Sequence, residues 1–115
     1  MRELKFRFWD TTDKRFIDDP FISKSGLVGY FTGTTIDWID DIIVQQYTGV
    51  KDKNGKDIYE GDILNNPDDV PEEIYIVKWN IETGAFQYYV DYNMGENIDS
   101  LQVIGNIFEN PDLLK

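Results

Sequence analysis

The stretch from residue 46 to residue 64 constrains the fold more than any other part of the chain, because it contains the strongest turn signal. Its apolar residues stop at Val50 and resume at Ile58, and the pair Asn54-Gly55 lies between them. Both asparagine and glycine tolerate a positive φ, which a type I′ turn requires at its two central positions. The pattern therefore predicts a hairpin in which residues 47–52 form the outgoing strand and residues 56–59 the returning strand.

A second turn is predicted directly after this hairpin, at Gly61-Asp62, and a new strand begins there with Ile63. Gly61 is expected to adopt a positive φ, and the Asp62 carboxylate is expected to accept backbone N–H groups within the turn. Gly49 and Gly105 are assigned similar backbone roles, with Gly105 at a β-bulge of the last strand. The predicted structural turn residues are Gly49, Asn54, Gly55, Gly61, Asp62 and Gly105.

Elsewhere in the chain, apolar residues that alternate with polar ones predict half-buried strands. Leu4, Phe6 and Phe8 alternate with two basic residues, so the aromatic rings are expected to point inward and the bases outward. Further strands are predicted at residues 16–17, 42–47, 74–79, 85–90 and 101–108.

The segment from residue 21 to residue 36 is harder to interpret, and residues 35–44 are ambiguous between helix and strand. Glycines at positions 26, 29 and 33 disfavour a helix and predict strands with bends or bulges. Ile36, Ile39 and Ile43 have helical spacing, but the β-branched run that follows favours a strand over a helix.

These segments together predict a mainly β fold of coiled antiparallel sheets in a single domain spanning residues 1–115. From residue 59 onward, the order of turn, Gly-Asp strand start, long loop, hairpin and last strand is similar to an SH3-like small barrel. A short C-terminal helical turn is expected at Asn110-Pro111, because asparagine caps helices and proline favours their first position.

The composition excludes several kinds of chemistry. The chain of 115 residues has 22 acidic and 11 basic residues, a formal net charge of −11, and neither histidine nor cysteine. Disulfides, thiolate zinc sites and histidine-based catalysis are therefore excluded, and no cofactor or metal site is expected. The negative charge disfavours direct nucleic-acid binding. Without an apolar leader or membrane span, the chain is expected to be a cytoplasmic protein of a bacterial host cell with no membrane partner.

Asp52, Asp57 and Glu60 lie around the predicted hairpin turn and have some similarity to a calcium-binding loop. Such a loop needs a glycine at its sixth position and a glutamate at its twelfth. Counted from Asp52, Gly55 is fourth and Glu60 is ninth, so the turn interpretation is preferred.

Asp37, Asp40 and Asp41 gather three carboxylates near Trp38. Paired carboxylates perform glycoside hydrolysis, but nothing in the sequence sets the separation that this reaction requires. Solvated surface acids are the preferred interpretation. A serine triad is excluded because the chain has no histidine.

Aromatic residues on the predicted strands supply a candidate protein interface. Tyr88 and Tyr89 are adjacent on one strand, so their rings point to opposite faces and at least one is expected at the surface. Exposed aromatic residues on a sheet anchor many protein interfaces. The candidate interface residues are Tyr47, Tyr59, Trp79, Tyr88 and Tyr89.

Three blocks of sequence resemble the YopX-like proteins of phages and prophages of Gram-positive bacteria. They are Lys-Phe-Arg-Phe-Trp-Asp at residues 5–10, the hairpin and following turn at residues 46–63, and Val-Ile-Gly-Asn-Ile-Phe-Glu-Asn-Pro at residues 103–111. The resemblance implies a phage or prophage origin and a mainly β fold. It implies no catalytic residue and no mechanism.

Three functional hypotheses follow. The first is a non-enzymatic protein-binding or assembly domain, whose partner is either another protein or a second copy of the chain in a homo-oligomer. The second is a DNA mimic, in which carboxylates imitate phosphates to block a DNA-binding enzyme of the host. The third, and least favoured, is a carboxylate-based hydrolase.

Overall fold

The computed structural model describes residues 4–39, 41–68, 73–89, 92–93 and 98–114. In these ranges the chain forms β-strands and short 3₁₀ turns, and every described strand pair is antiparallel. The prediction of a mainly β, antiparallel fold with a short C-terminal helical turn is therefore confirmed. The strands are β1 (Phe6–Asp10), β2 (Arg15–Phe16), β3 (Phe21–Ile22), β4 (Val28–Thr32), β5 (Thr35–Ile39), β6 (Ile42–Lys51), β7 (Asp57–Tyr59), β8 (Asp62–Asn65), β9 (Ile74–Ile76), β10 (Lys78–Asn80), β11 (Ala85–Tyr89), β12 (Tyr92–Asn93) and β13 (Gln102–Asn106), and the 3₁₀ turns are Ile98–Ser100 and Pro111–Leu114.

The chain divides into two compact units. The N-terminal unit contains residues 6–45, and the C-terminal unit contains residues 1–5 and 46–115. Strand β6 begins in the first unit and ends in the second. The single domain predicted for residues 1–115 stays a prediction, because compactness does not test whether the units unfold together.

In the N-terminal unit, β3, β4 and β5 form a three-stranded sheet in that order. The β4–β5 hairpin pairs Val28 with Ile39 and Phe31 with Ile36, and it turns at Gly33, whose φ is +67°. The helical alternative for the isoleucine spacing is therefore wrong, and the glycine-rich segment forms strands as predicted. The core of this unit consists of Phe8, Ile17 and Val28, with Tyr30, Ile39 and Ile42 packed against it.

The predicted inward and outward faces of β1 are only partly correct. Phe8 is buried, but Phe6 is 48% exposed and Trp9, on the opposite face, is buried. The reason lies in the neighbouring strand, because Phe16 pairs with Trp9 and packs edge-on against it, with ring centroids 4.8 Å apart. Asp10 is also buried, and its Oδ1 accepts the backbone N–H groups of Thr12 and Asp13 in the turn that follows β1.

In the C-terminal unit, β13, β8 and β9 form one sheet, and β10, β11 and β12 form another. The segment of residues 91–100 contains β12 and a 3₁₀ turn, and its remaining residues, like residues 69–72, lie outside the described ranges. The core residues of this unit are Ile58, Leu64, Val77, Tyr88, Ile98 and Leu101.

The strand predicted at residues 74–79 changes partner at Val77. Before Val77, β9 pairs with β8, and after it, β10 pairs with β11. The N–H of Val77 donates to the carbonyl of Asp62, and the N–H of Gly61 donates to the carbonyl of Val77. A strand that passes from one sheet to another makes the corner of a packed β structure. This arrangement is compatible with an SH3-like barrel, which stays a prediction.

The reversal at Asn54-Gly55 is present, but its predicted type is wrong. Gly55 has a φ of +81°, whereas Asn54 is not among the described residues with a positive φ. The N–H of Gly55 donates to the carbonyl of Asp52, and the N–H of Asp52 donates to the carbonyl of Lys56. These bonds close a three-residue loop with a left-handed glycine at its end, instead of a two-residue type I′ turn.

The Asp52 side chain explains this loop. Its Oδ1 accepts the backbone N–H of Asn54 at 2.8 Å and that of Lys56 at 2.9 Å. An aspartate that accepts an N–H two residues further on forms an Asx turn. Asp52 therefore closes this loop with one left-handed residue, Gly55, and without a positive φ at Asn54.

A candidate binding face and its surroundings

Two of the predicted interface residues, Tyr47 and Tyr88, are 4% exposed and cannot present their rings to a partner. The Lys5 ammonium lies 4.8 Å from the centroid of the Tyr47 ring, and the Tyr59 ring lies 5.6 Å away on centroids. Tyr88 packs edge to face against Tyr75 within the core of the C-terminal unit, at 5.6 Å. Both tyrosines therefore serve the interior, which corrects the prediction for these two positions.

The other predicted interface residues differ from one another. Tyr59 is half-buried, and Trp79 is 44% exposed while its ring lies edge-on against Phe86. The side chain of Tyr89 lies outside the described part of the structure. Trp79 therefore offers the largest described surface of this set, and it belongs to the C-terminal unit.

The predicted turn glycines have two different reasons for being glycine. Gly49, Gly55 and Gly61 have φ values of +87°, +81° and +85°, where a Cβ atom would cause strain. Gly105 lies at a register shift of β13, and a Cβ atom there would come 2.5 Å from Oδ1 of Asn110. Its requirement is therefore space for the Asn110 side chain, whose Oδ1 accepts a backbone N–H from β13.

The carboxylates of the central hairpin are engaged in structure. Asp62 Oδ2 accepts the N–H of Tyr59 at 2.8 Å, and Asp52 Oδ2 accepts the N–H of Val103 at 2.9 Å. Burial favours a raised pKa for Asp52, but its hydrogen bonds from three backbone N–H groups outweigh burial and lower the pKa. Among the residues that the structure describes, no group of three acidic side chains is placed to hold a metal ion.

Asp57 lies between two lysines. Lys5 Nζ is 2.6 Å from Asp57 Oδ2, and Lys51 Nζ is 2.5 Å from Oδ1. The hydrogen bonds from Lys5 and Lys51 lower the pKa of Asp57, and the bond to Asp57 raises the pKa of Lys51. The arrangement ties β6 and β7 to the residue that precedes β1 within the C-terminal unit.

A face that sequence reasoning missed lies on the sheet of β3, β4 and β5. Phe21 is half-buried, whereas Phe31 is 67%, Trp38 49% and Ile36 40% exposed. The Phe21 ring lies 5.2 Å from the Phe31 ring and 5.6 Å from the Trp38 ring, measured between centroids. We call Phe21, Phe31, Ile36 and Trp38 the aromatic face.

The register of the sheet places these side chains together. Phe21 pairs with Gly29, and Gly29 pairs with Trp38, so the three residues share one face of the sheet. A Cβ atom on Gly29 would lie 3.0 Å from Cε3 of Trp38, and the glycine therefore leaves the recess that the indole ring occupies. Residues on the opposite face, such as Val28, pack into the core.

A groove of about 340 Å³ also lies in the N-terminal unit. It includes Asp37 and Asp41, two of the three carboxylates predicted to gather near Trp38, while Asp40 lies outside the described residues. We call it the acidic groove, and it is lined by Asp10, Thr12, Asp13, Tyr30, Asp37, Trp38, Ile39 and Asp41.

A second groove, of about 400 Å³, lies in the C-terminal unit between Ile74, Ile76 and the ring of Tyr75. At its polar end, Nδ2 of Asn80 donates to Oε1 of Gln87 at 3.0 Å. Its lining also includes Lys78 and Tyr88.

These observations define an antiparallel β protein with an exposed aromatic face. The sequence model of the YopX protein family matches residues 5–115, and the chain belongs to the YopX family. The crystal structure of protein EF1440 from Enterococcus faecalis is similar to this chain, with a TM-score of 0.70 and 27% sequence identity over 100% of both chains. No curated protein matches the sequence significantly. No helix in the described ranges has the length and apolar character needed to cross a membrane.

Proposed function

We propose that this protein is a non-enzymatic protein-binding or assembly domain of phage or prophage origin, which docks its partner on the aromatic face. The observation that carries the proposal is the exposure of Phe31, Ile36 and Trp38 on one face of one sheet. Large aromatic side chains are enriched at protein interfaces, where a few of them contribute most of the binding energy.

The size of the face bears on how it would be used. Complete burial of a large apolar side chain contributes about 1.5–3 kcal/mol, and these three side chains are about half exposed, so covering them contributes roughly 3 kcal/mol. Association costs at least about 4 kcal/mol in lost freedom. A partner that docks here therefore needs further contacts beyond the apolar ones.

Two observations support a role without catalysis. The pKa of Asp52 and that of Asp57 are both lowered, whereas a general acid needs a raised pKa. Both carboxylates are also occupied by hydrogen bonds from the chain itself. The carboxylate hydrolase and the DNA mimic stay hypotheses, the latter motivated by the net charge of −11.

Site-specific photo-crosslinking tests the proposal. A photo-reactive phenylalanine analogue in place of Phe31 is expected to form an adduct of defined mass in the native cell, and Trp38→Thr is expected to remove it. The matched control carries the analogue in place of Ile81, which is 87% exposed but lies in the other unit. Equal adducts at both positions, or none at position 31, would contradict the proposal.

Light scattering distinguishes a second copy from another partner. If copies of the chain associate through the aromatic face, the mass of the wild-type protein rises with concentration, and Phe31→Ser abolishes the rise. The Ile81→Thr protein is the control, and it is expected to behave like the wild type.

A further inference from the structure

We propose, on the basis of the function above, that the partner docks as an extended segment that pairs with the outer edge of β5, and that its side chains alternate between apolar and basic. Three features of the N-terminal unit carry this inference: the place of β5 in its sheet, the different chemistry of its two faces, and the charge of the acidic groove.

β5 is the last strand of its sheet. It pairs with β4 along its whole length, from Thr35 to Ile39, and no strand in the described ranges pairs with its other edge. Four of its five residues are exposed and the fifth is half-buried. An open strand edge is a template for pairing with another chain, in which main-chain hydrogen bonds provide affinity and alternate side chains provide specificity.

The two faces of β5 differ in chemistry. Asp37 points to the side of the sheet opposite Ile36 and Trp38, which belong to the aromatic face. Asp37 lines the acidic groove, and Trp38 also contributes to its lining. A strand added beside β5 would follow the same alternation, with every second side chain next to the aromatic face. Its remaining side chains would lie next to Asp37.

The charge of the acidic groove determines which side chains of the partner would fit next to Asp37. Four aspartates line the acidic groove, and Arg15 lies 4.0 Å from one of them, Asp13, and 5.3 Å from the centroid of the Tyr30 ring. In the part of the chain that the structure describes, no base forms an ion pair with Asp37 or Asp41. Lysine or arginine side chains on the partner would supply the missing positive charge, with an attraction that weakens as salt increases.

The area of the face argues for an extended segment over the packing of two copies face to face. A stable interface buries about 800 Å² on each partner. Phe31, Ile36 and Trp38 together expose roughly 300 Å², taking about half of the 150–250 Å² of a large side chain for each. Backbone pairing along β5 and contacts with the carboxylates add affinity without a larger apolar surface.

Synthetic peptides test the inference. The probe is a seven-residue peptide of alternating lysine and valine, labelled for fluorescence anisotropy. We expect it to bind at least tenfold more tightly than a peptide of the same composition with the lysines in one block. It should also bind at least tenfold more tightly than the analogue in which glutamate replaces lysine. N-methylation of every second amide on the side that faces β5 is expected to abolish binding, because it removes the donors of the added strand.

Variants of the protein locate the binding. Asp37→Asn combined with Asp41→Asn is expected to weaken the lysine peptide about tenfold at low salt and to change little at high salt. Glu82→Gln, an exposed acid of the other unit, is the control. Circular dichroism of both proteins verifies folding. Equal binding of the alternating and block peptides, equal binding of the N-methylated peptide, or no effect of the double substitution would overturn the inference.

The two proposals fail in distinguishable ways. If the adduct at position 31 forms in the cell while no alternating peptide binds, the aromatic face is a docking site, and the extended basic segment is the wrong occupant. If neither the adduct nor peptide binding occurs, the proposed function itself is wrong.

Discussion

Phe21 and Trp38 meet edge to face across Gly29, with their ring centroids 5.6 Å apart and their planes inclined at 74°. The contact joins β3 to β5 over the central strand of the sheet, although these two strands do not pair with each other. A side chain on the central strand would separate the rings. The aromatic face therefore depends on a glycine at position 29 as much as on the aromatic residues themselves.

Gly29→Ala is expected to destabilise the protein by about 1–3 kcal/mol, as overpacking of a close contact does. The added Cβ would lie 3.0 Å from the Trp38 ring and 3.0 Å from the carbonyl oxygen of Asp37, and a backbone carbonyl cannot move away cheaply. Urea denaturation measures the loss, and the tryptophan emission of the folded protein should change. Trp38→Thr should restore only part of the stability, since the Asp37 carbonyl remains. Complete restoration would show that the indole ring alone limits the space.

The geometry of the loop between Asp52 and Lys56 predicts different losses of stability for substitutions of its two adjacent turn residues, Asn54 and Gly55. Gly55→Ala is expected to cost about 1 kcal/mol, because Gly55 holds the left-handed conformation at the end of the loop. Asn54→Ala should change stability by less than about 0.5 kcal/mol, because Asn54 has no positive φ and its N–H bond to Asp52 is retained. Chemical denaturation of both variants measures the difference. A similar large loss from both would favour the type I′ turn.

The turn dipeptides and the apolar alternation are local sequence signals, and they predict local structure, namely reversals and strands. Asn54-Gly55 and Gly61-Asp62 mark reversals that the fold contains, and alternation in the last third of the chain marks strands close to those observed. The turn type was missed because it depends on where the Asp52 carboxylate points. Backbone propensity alone does not contain that information.

Local sequence signals do not predict which aromatic side chains are buried and which are exposed. Tyr47 and Trp79 are each the one aromatic residue of their strand, yet Tyr47 is buried and Trp79 is exposed. Which face of a strand is covered depends on partners distant in sequence, such as Lys5 for Tyr47. A signal for the aromatic face was present in the glycine-punctuated segment. A turn at Gly33 makes Phe31 and Ile36 cross-strand neighbours, and Trp38 then falls beside Gly29.

The ion pairs of Asp57 predict a specific dependence of stability on pH. Hydrogen bonds from Lys5 and Lys51 hold the Asp57 pKa below its unfolded value of about 3.9. The contribution of Asp57 is therefore fully present above that unfolded value, and it is lost as the pH falls through the lower, folded value. Lys51 behaves in the opposite sense: its pKa is raised, so its contribution is lost only at strongly alkaline pH.

Asp57→Asn is accordingly expected to lower the free energy of unfolding by about 1 kcal/mol between pH 5 and pH 9, a modest loss because the ion pairs are partly exposed. Below about pH 4 the loss is expected to become progressively smaller. Denaturant titrations at several pH values measure the difference between the wild type and the variant. Glu82→Gln, at an exposed acid of a turn, serves as the comparison and should show no such convergence. A constant difference at all pH values would mean that the charge of Asp57 contributes nothing.

Three tryptophans report separately on the two compact units. Trp9 and Trp38 lie in the N-terminal unit and Trp79 in the C-terminal unit. A single domain predicts that all three unfold with one midpoint, because a cooperative domain has no partly unfolded state with significant population. Fluorine NMR of the protein labelled with 5-fluorotryptophan resolves one signal for each residue during a urea titration. Coincident midpoints are expected. A midpoint for Trp79 that differs from the common midpoint of Trp9 and Trp38 would mean that the units are separate domains.

The same titration of the Gly29→Ala protein is an independent test of the same question. In a single domain that substitution moves all three midpoints together, whereas in separate domains it leaves the Trp79 midpoint unchanged.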